Sequence, residues 1–146
     1  MPTKVFLSLS SGHFLPTKKC GNSDFEDRRK LFNHILTFIQ PTHIRTLLCD
    51  RDFLSGYWIA DLKSHQIPFV IRAKETVLAS NSQGKAISFK MMFANLSDGQ
   101  PSCLKASRNV LGCDVYMCAK RLDSGEFRIL LAKQSGRTVF DVYRIR

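Results

Sequence analysis

The chain has 146 residues, of which 44% are hydrophobic and 23% are charged. These fractions are ordinary for a soluble globular protein with one core, and no apolar run is long enough to cross a membrane as a helix. Lys and Arg total 22 against 12 Asp and Glu, which gives a formal net charge of +10. Such a charge favours a polyanionic partner, most commonly nucleic acid, and an ordinary basic cytosolic protein is the alternative.

The first third of the chain predicts a strand, a loop and a helix. Val5–Leu9 alternates apolar and polar residues, which indicates a strand rather than the apolar segment of a signal peptide. After a loop rich in turn-forming residues, Ser23 and Glu26 have the spacing of a capping box, so a helix should begin there. Gln40-Pro41 ends this helix, and its buried face is formed by Phe25, Phe32, Leu36 and Ile39.

Two further strands and a helix follow. Ile44–Asp50 is a short apolar run that predicts a buried strand, and Leu54–His65 predicts a helix with Trp58 and Leu62 on its buried face. Ile67–Lys74 predicts the next strand, whose apolar and basic side chains point to opposite sides. Strands that alternate with helices in this way predict a parallel sheet covered by helices.

The character of the sequence changes after Glu75. The segments TVLAS, KAISFKMMF, DVYMCAKRL and EFRILLAKQ are separated by turn-forming residues, which is typical of antiparallel strands. Five cysteines occur without a Cys-x-x-Cys pair, so a zinc site is not indicated and we expect free, mostly buried thiols in a reducing cytoplasmic compartment. They are Cys20, Cys49, Cys103, Cys113 and Cys118.

Asp50 stands at the end of a predicted buried strand. Ligands of parallel α/β sheets bind beyond the carboxyl ends of the strands, and a carboxylate there can hold a hard cation such as Mg²⁺. One carboxylate is not enough for a two-metal site that catalyses phosphoryl transfer. The structural alternative is that Asp50 caps the helix that follows it.

Three blocks of the sequence resemble one protein family. CDRDFLSGYWIADLKSHQIPFVIRAKET resembles the Asp-Arg-Glu-Phe…Ile-Pro-Phe-x-Ile-Arg-x-Lys-Glu block of bacterial insertion-sequence transposases of the DDE class, in the IS-four-like branch. KKCGNSDFEDR resembles the Lys-Lys-Gly-Asn-Ser…Glu-Arg segment of that family, with Cys20 interrupting it. The terminal YRIR resembles the start of its Tyr-x-x-Arg-x-x-x-Glu signature.

The resemblance implies an α/β fold, namely a partial ribonuclease-H-like core with an antiparallel β-rich insertion. Residues 1–75 would belong to the catalytic core, 76–138 to the insertion, and 139–146 to the segment that leads to the catalytic Glu. In the family, two Asp and one Glu bind two Mg²⁺ ions, which promote DNA cleavage and strand transfer. Asp50 matches the second Asp, and Tyr143 and Arg146 match the Tyr and Arg that support the terminal DNA in the family. Lys74, on the strand that leads to the insertion, and Arg51, next to Asp50, are further candidate DNA contacts.

This sequence departs from the family pattern in its carboxylates. The first Asp and the Glu have no counterpart in the chain, and Asp52 replaces the Glu of the Asp-Arg-Glu-Phe motif. We therefore expect a transposase fragment that is inactive alone, from a parent that works as a homodimer on transposon ends in the bacterial cytoplasm, associated with the nucleoid. The alternatives are a non-catalytic DNA-binding remnant and an inert pseudogene product.

The other basic residues carry weaker predictions. Arg28, Arg29 and Lys30 are expected on a solvated helix face, with DNA backbone contact as the second possibility. Arg51 could brace Asp50 or contact phosphate, and the structural alternative is an ion pair with Asp52 or a solvent-exposed charge. Positive charge spread through the insertion suits sequence-independent contact with phosphates, and equally the protection of strand edges: Lys85, Lys90, Lys105, Arg108, Lys120 and Arg121.

Overall fold

The computed structural model describes residues 4–9, 25–134, 136 and 139–140. Its α-helices are α1 (Phe25–Phe38), α2 (Gly56–Ser64) and α3 (Phe89–Met92), and short 3₁₀ turns span Pro41–His43 and Arg51–Phe53. The strands are β1 (Val5–Leu9), β2 (Ile44–Cys49), β3 (Phe69–Ala73), β4 (Leu78–Ser80), β5 (Ala86–Ser88), β6 (Pro101–Cys103), β7 (Arg108–Val110), β8 (Cys113–Arg121) and β9 (Phe127–Ala132).

Within the described residues, seven strands form one sheet in the order β1-β2-β3-β9-β8-β6, with β7 paired to β8. The predicted parallel part is confirmed, because β1, β2 and β3 run parallel to one another. The strands β9, β8 and β6 continue the sheet in antiparallel fashion from β3, while β4 and β5 form a separate pair. The parallel strands and most of the antiparallel strands therefore belong to one continuous sheet.

The sheet has two faces with different coverings. On the first, Phe32 of α1 and Trp58 and Leu62 of α2 pack against buried residues such as Leu47 and Ile71. The opposite side, called the second face here, has a smaller apolar cluster in which the C-terminal segment joins the strands. That cluster consists of Leu48, Val70, Cys118, Leu130, Ala132, Val139 and Phe140. Among the described residues, α1 and α2 therefore pack on the first face, and Val139 and Phe140 pack on the second.

The helix after β2 begins later than the sequence predicts. The chain first makes the 3₁₀ turn Arg51–Phe53, and α2 starts only at Gly56. The delay has a local cause, since the Ser55 hydroxyl oxygen accepts a hydrogen bond from the Trp58 backbone N–H at 3.1 Å and so caps α2. Trp58 is only 1% exposed, which confirms the prediction that it packs in the core.

The prediction that KAISFKMMF is one strand is wrong. Its first residues form β5, and the rest form α3 because the Ser88 side chain accepts a hydrogen bond from the Met91 backbone N–H and starts a helical turn. Phe89 on this turn is fully buried. A capping serine therefore changes the backbone conformation in the middle of a run that alternates like a strand.

The expectation of free thiols is wrong for two of the cysteines. Cys103 on β6 and Cys118 on β8 lie directly opposite each other and form a disulfide. Cys49 and Cys113 are not disulfide-bonded, and Cys20 lies outside the described residues. The sequence does not predict the strand β6, so the pairing that brings Cys103 to Cys118 cannot be inferred from it.

At the level of fold class, the protein is a mixed α/β structure with a sheet-rich core and few helices. The ribonuclease-H-like assignment and the division at residues 75 and 138 remain predictions. In the described part of the chain, no helix combines the length and the apolar character needed to cross a membrane.

Candidate nucleic-acid interface

Asp50 directly follows β2, at the carboxyl end of the parallel strands. Its backbone N–H donates to the Leu9 carbonyl of β1 at 3.0 Å, which extends the pairing of the two strands. Its carboxylate accepts a hydrogen bond from the Arg51 backbone N–H at 2.8 Å and caps the 3₁₀ turn. The predicted capping role of Asp50 is therefore confirmed only for this short turn, because Ser55 and not Asp50 caps α2. The role of Asp50 as a metal ligand remains a prediction.

Arg28 on α1 supports this turn from the side. Its guanidinium donates a hydrogen bond to the Asp52 carbonyl and lies 4.8 Å from the centre of the Phe53 ring. Burial lowers the pKa of Arg28, while Asp52 and Cys49 act in the opposite direction. The expected solvated helix face is confirmed for Arg29 and Lys30, which are exposed, whereas Arg28 is half-buried. Arg28 links the Glu-Arg block of the sequence to the Asp-Arg-Asp-Phe block in space.

Lys74 belongs to a row of cations on the second face of the sheet. Lys120 on β8 is directly opposite Arg128 on β9, and Arg72 on β3 is directly opposite Leu130, two residues further along β9. Continuing the β3–β9 register by one residue places Lys74 beside Arg128. Alternation along each strand puts these residues on the same side as the apolar cluster. We call this set the basic strip: Arg72, Lys74, Lys120 and Arg128.

The geometry of the basic strip suits an extended anion. Adjacent strands lie about 4.8 Å apart, so Lys74, Arg128 and Lys120 span about 10 Å across three strands. Like charges directly opposite each other are unfavourable in a sheet, and Lys120 and Arg128 have this arrangement. The Arg128 Nε atom is buried without a hydrogen-bond partner, and none of the four cations forms an ion pair with another described residue.

The structure brings some of the predicted site residues together. Cys49 pairs with Ile71, so Asp50 lies level with Arg72 on the neighbouring strand, at the edge that also carries Lys74. Arg51 is exposed on the 3₁₀ turn. Two other predicted DNA contacts lie outside the described residues, namely Tyr143 and Arg146. The predicted residues that can be placed therefore cluster at the carboxyl ends of β2 and β3.

The described residues do not fit a two-metal Mg²⁺ site. Such a site needs several carboxylates, placed to bind both ions. Among the residues that the structure describes, no group of three or more His, Cys, Asp or Glu side chains is suited to hold a metal ion. Asp50 is the one predicted ligand, and its carboxylate already caps the turn.

Sequence reasoning missed half of the basic strip. The sequence predicts that Arg72 and Lys74 lie on the same side of one strand, and it includes Lys120 in the positive charge spread through the insertion. It assigns no role to Arg72 or to Arg128. For Arg72 the signal in the sequence is the alternation in IPFVIRAK, which puts it on the same side of the strand as Lys74. For Arg128 it is that this residue is the single charge in the apolar run FRILLA. No protein-family model matches the chain, and no curated protein matches it. The family resemblance therefore rests on the three sequence blocks.

Proposed function

We propose that this chain is a DNA-binding fragment of an IS-four-like DDE transposase, which binds the DNA backbone on the basic strip and does not cleave DNA by itself. The observation that supports the proposal is the row of Lys74, Arg128 and Lys120, with Arg72 beside it, on one face of the sheet. The net charge of +10 adds a general attraction for the same partner.

The proposed contact is with phosphates rather than with base edges. Phosphates on one DNA strand advance by about 3.4 Å each along the helix axis and wind around it at the same time. A strip about 10 Å long can therefore lie along a short run of neighbouring phosphates. Arg128 and Arg72 supply planar guanidinium groups that bind phosphate oxygens through two parallel hydrogen bonds. Contacts of this kind carry no sequence information, so the described residues bind different DNA sequences with similar affinity.

The family resemblance accounts for the ancestry of the fragment. Under this proposal the core is ribonuclease-H-like, and the parent enzyme acts as a homodimer on transposon ends in the bacterial cytoplasm. Asp50 is then the remaining carboxylate of a site that bound Mg²⁺ in the parent. We expect the isolated chain to lack cleavage activity, because one carboxylate does not complete a two-metal site.

Two assays test the two halves of the proposal. In the first, affinity for a labelled duplex of mixed sequence is measured by fluorescence anisotropy between 50 and 200 mM salt. We expect binding that weakens steeply with salt, and no binding even at the lowest salt would overturn the proposed function. In the second, DNA carrying insertion-sequence ends is incubated with Mg²⁺. Mg²⁺-dependent cleavage that is lost in Asp50→Ala would contradict the non-catalytic part.

A thermal unfolding experiment separates this proposal from the inert alternative. The described residues form a core in which Trp58, Phe32, Phe69 and Phe89 are almost completely buried. Tight packing of this kind predicts a cooperative transition of the purified protein. A chain that unfolds without a cooperative transition would instead support the inert pseudogene product.

A further inference from the structure

The disulfide lies beside the basic strip. Cys103 and Cys118 are opposite each other on β6 and β8, and the next same-face pair along these strands is Pro101 and Lys120. β6 is an edge strand of three residues, and its first residue is a proline without an N–H to donate. The covalent bond thus supplements a short, weakly hydrogen-bonded strand that flanks the Lys120 end of the strip.

The same disulfide contacts the C-terminal segment. The Gly136 carbonyl oxygen lies 3.4 Å from Cys103 Sγ and 3.7 Å from Cys118 Sγ. Cys118 is also buried in the apolar cluster that includes Val139 and Phe140. The bond therefore joins the edge strand, the strand that carries Lys120 and the segment that covers the apolar part of the second face.

The two cysteines of the disulfide differ in their exposure to solvent. Cys118 is completely buried, whereas Cys103 is only half-buried at the edge of the sheet. Cys103 is therefore the cysteine of the pair that is more accessible to an attacking thiolate. Lys120 is the diagonal cross-strand neighbour of Cys103, a separation that a long side chain can bridge. Its positive charge favours a nearby thiolate and attracts a reagent of negative charge.

We propose that Cys103 is a thiol–disulfide exchange site for anionic low-molecular-weight thiols, and that opening its bond to Cys118 weakens nucleic-acid binding by the basic strip. The regulatory half rests on the proposed function. One thiolate attacks Cys103 Sγ, the bond to Cys118 breaks, and Cys118 leaves as a thiolate that takes up a proton. A second thiolate attacks the mixed disulfide, which releases Cys103 and a small disulfide. The two small thiols thus supply the two electrons, and a small disulfide reverses the reaction.

Reduction kinetics test the exchange site without any DNA. The oxidised full chain is treated with 2-mercaptoethanesulfonate, which is anionic, or with neutral 2-mercaptoethanol at equal thiolate concentration. Released Cys103 and Cys118 thiols are counted by alkylation and mass spectrometry. We expect the anionic reagent to react several-fold faster at low salt, with an advantage that disappears at 1 M salt and in Lys120→Gln. The matched variant Lys85→Gln should keep the advantage, and equal rates for the two reagents at low salt would overturn the exchange site.

Binding measurements test the regulatory half. Loss of one phosphate contact at about 0.1 M salt corresponds to about an eightfold weaker affinity, which is the change we expect for the reduced wild type. Cys103→Ser should reproduce it, while Cys113→Ser removes the free thiol at the start of β8, the strand of Cys118, and should not. If Cys103→Ser does not fold, the reduced wild type decides the result. Equal affinities of the oxidised and reduced proteins would overturn the regulation, whereas no binding in either state would refute the proposed function and leave the kinetic test valid.

Discussion

Neutralising both ends of the basic strip should halve the salt dependence of DNA binding. Lys74 is exposed and Lys120 half-buried, so the double variant Lys74→Gln/Lys120→Gln changes charge with little effect on the core. Each phosphate contact contributes a slope of about −0.9 to the dependence of log affinity on log salt. Four contacts give about −3.6 for the wild type, and two give about −1.8 for the variant.

The difference is large over an accessible range of salt. Between 50 and 200 mM the salt rises fourfold, so wild-type affinity should fall by about 150-fold and that of the variant by about 12-fold. Fluorescence anisotropy with a labelled duplex of mixed sequence measures both slopes directly. Circular dichroism and thermal unfolding of each protein establish that the variant remains folded.

A second double variant controls for net charge. Lys85→Gln/Lys105→Gln also lowers the formal net charge from +10 to +8, and both of its lysines are exposed and lie outside the strip. Its slope should stay near the wild-type value, because counterion release depends on contacts rather than on total charge. If the two double variants lose the same slope, or if the strip variant loses none, the basic strip is not the contact surface.

Three substitutions test the packing around the Asp50 turn by denaturant unfolding. Arg28→Ala removes the hydrogen bond to Asp52 and the contact with Phe53, so we expect the free energy of unfolding to fall by about 1–2 kcal/mol. An unchanged unfolding midpoint would show that Arg28 does not support the turn. Gly56→Ala would place a methyl group against the Leu111 carbonyl oxygen, so we expect the free energy of unfolding to fall by about 1–3 kcal/mol. Unchanged stability would show that the segments around Gly56 and Leu111 separate easily. Leu111 has a positive φ of 53° at an exposed position, so Leu111→Gly removes the steric cost of a side chain in this conformation and should raise the free energy of unfolding by about 1 kcal/mol. A loss of stability would mean that the Leu111 side chain contributes to packing.

The parallel half of the sheet could be predicted because its signals are local. Ile44–Cys49 and Phe69–Ala73 are short apolar runs bounded by loops, and both form strands at the predicted places. Trp58 and Leu62 repeat at helical spacing and are buried as expected. Patterns of this kind depend on a few neighbouring residues, so one sequence is sufficient to recognise them.

The basic strip could not be predicted because it depends on register between distant segments. Arg72 and Arg128 come together only because β9 returns to pair with β3, and a shift of one residue would put Arg128 on the opposite face. The disulfide has the same origin, since it requires the pairing of Cys103 and Cys118 across β6 and β8. Local alternation gives the side of a strand on which a residue lies, but it does not give the neighbouring strand.

Asp50→Asn distinguishes the two roles that remain for this residue. The amide oxygen of Asn can still accept the hydrogen bond from the Arg51 N–H, so the cap and the fold should persist. The substitution removes a negative charge level with Arg72, and for a phosphate about 8 Å away in water the relieved repulsion is about 0.5 kcal/mol. If Asp50 only caps the turn, DNA affinity should rise about twofold whether or not Mg²⁺ is present. If Asp50 binds a metal ion that bridges to DNA, Mg²⁺ should strengthen wild-type binding and Asn should abolish that gain. Anisotropy titrations with Mg²⁺ and with EDTA therefore separate the two roles, because the substitution raises affinity in the first case and lowers it under Mg²⁺ in the second.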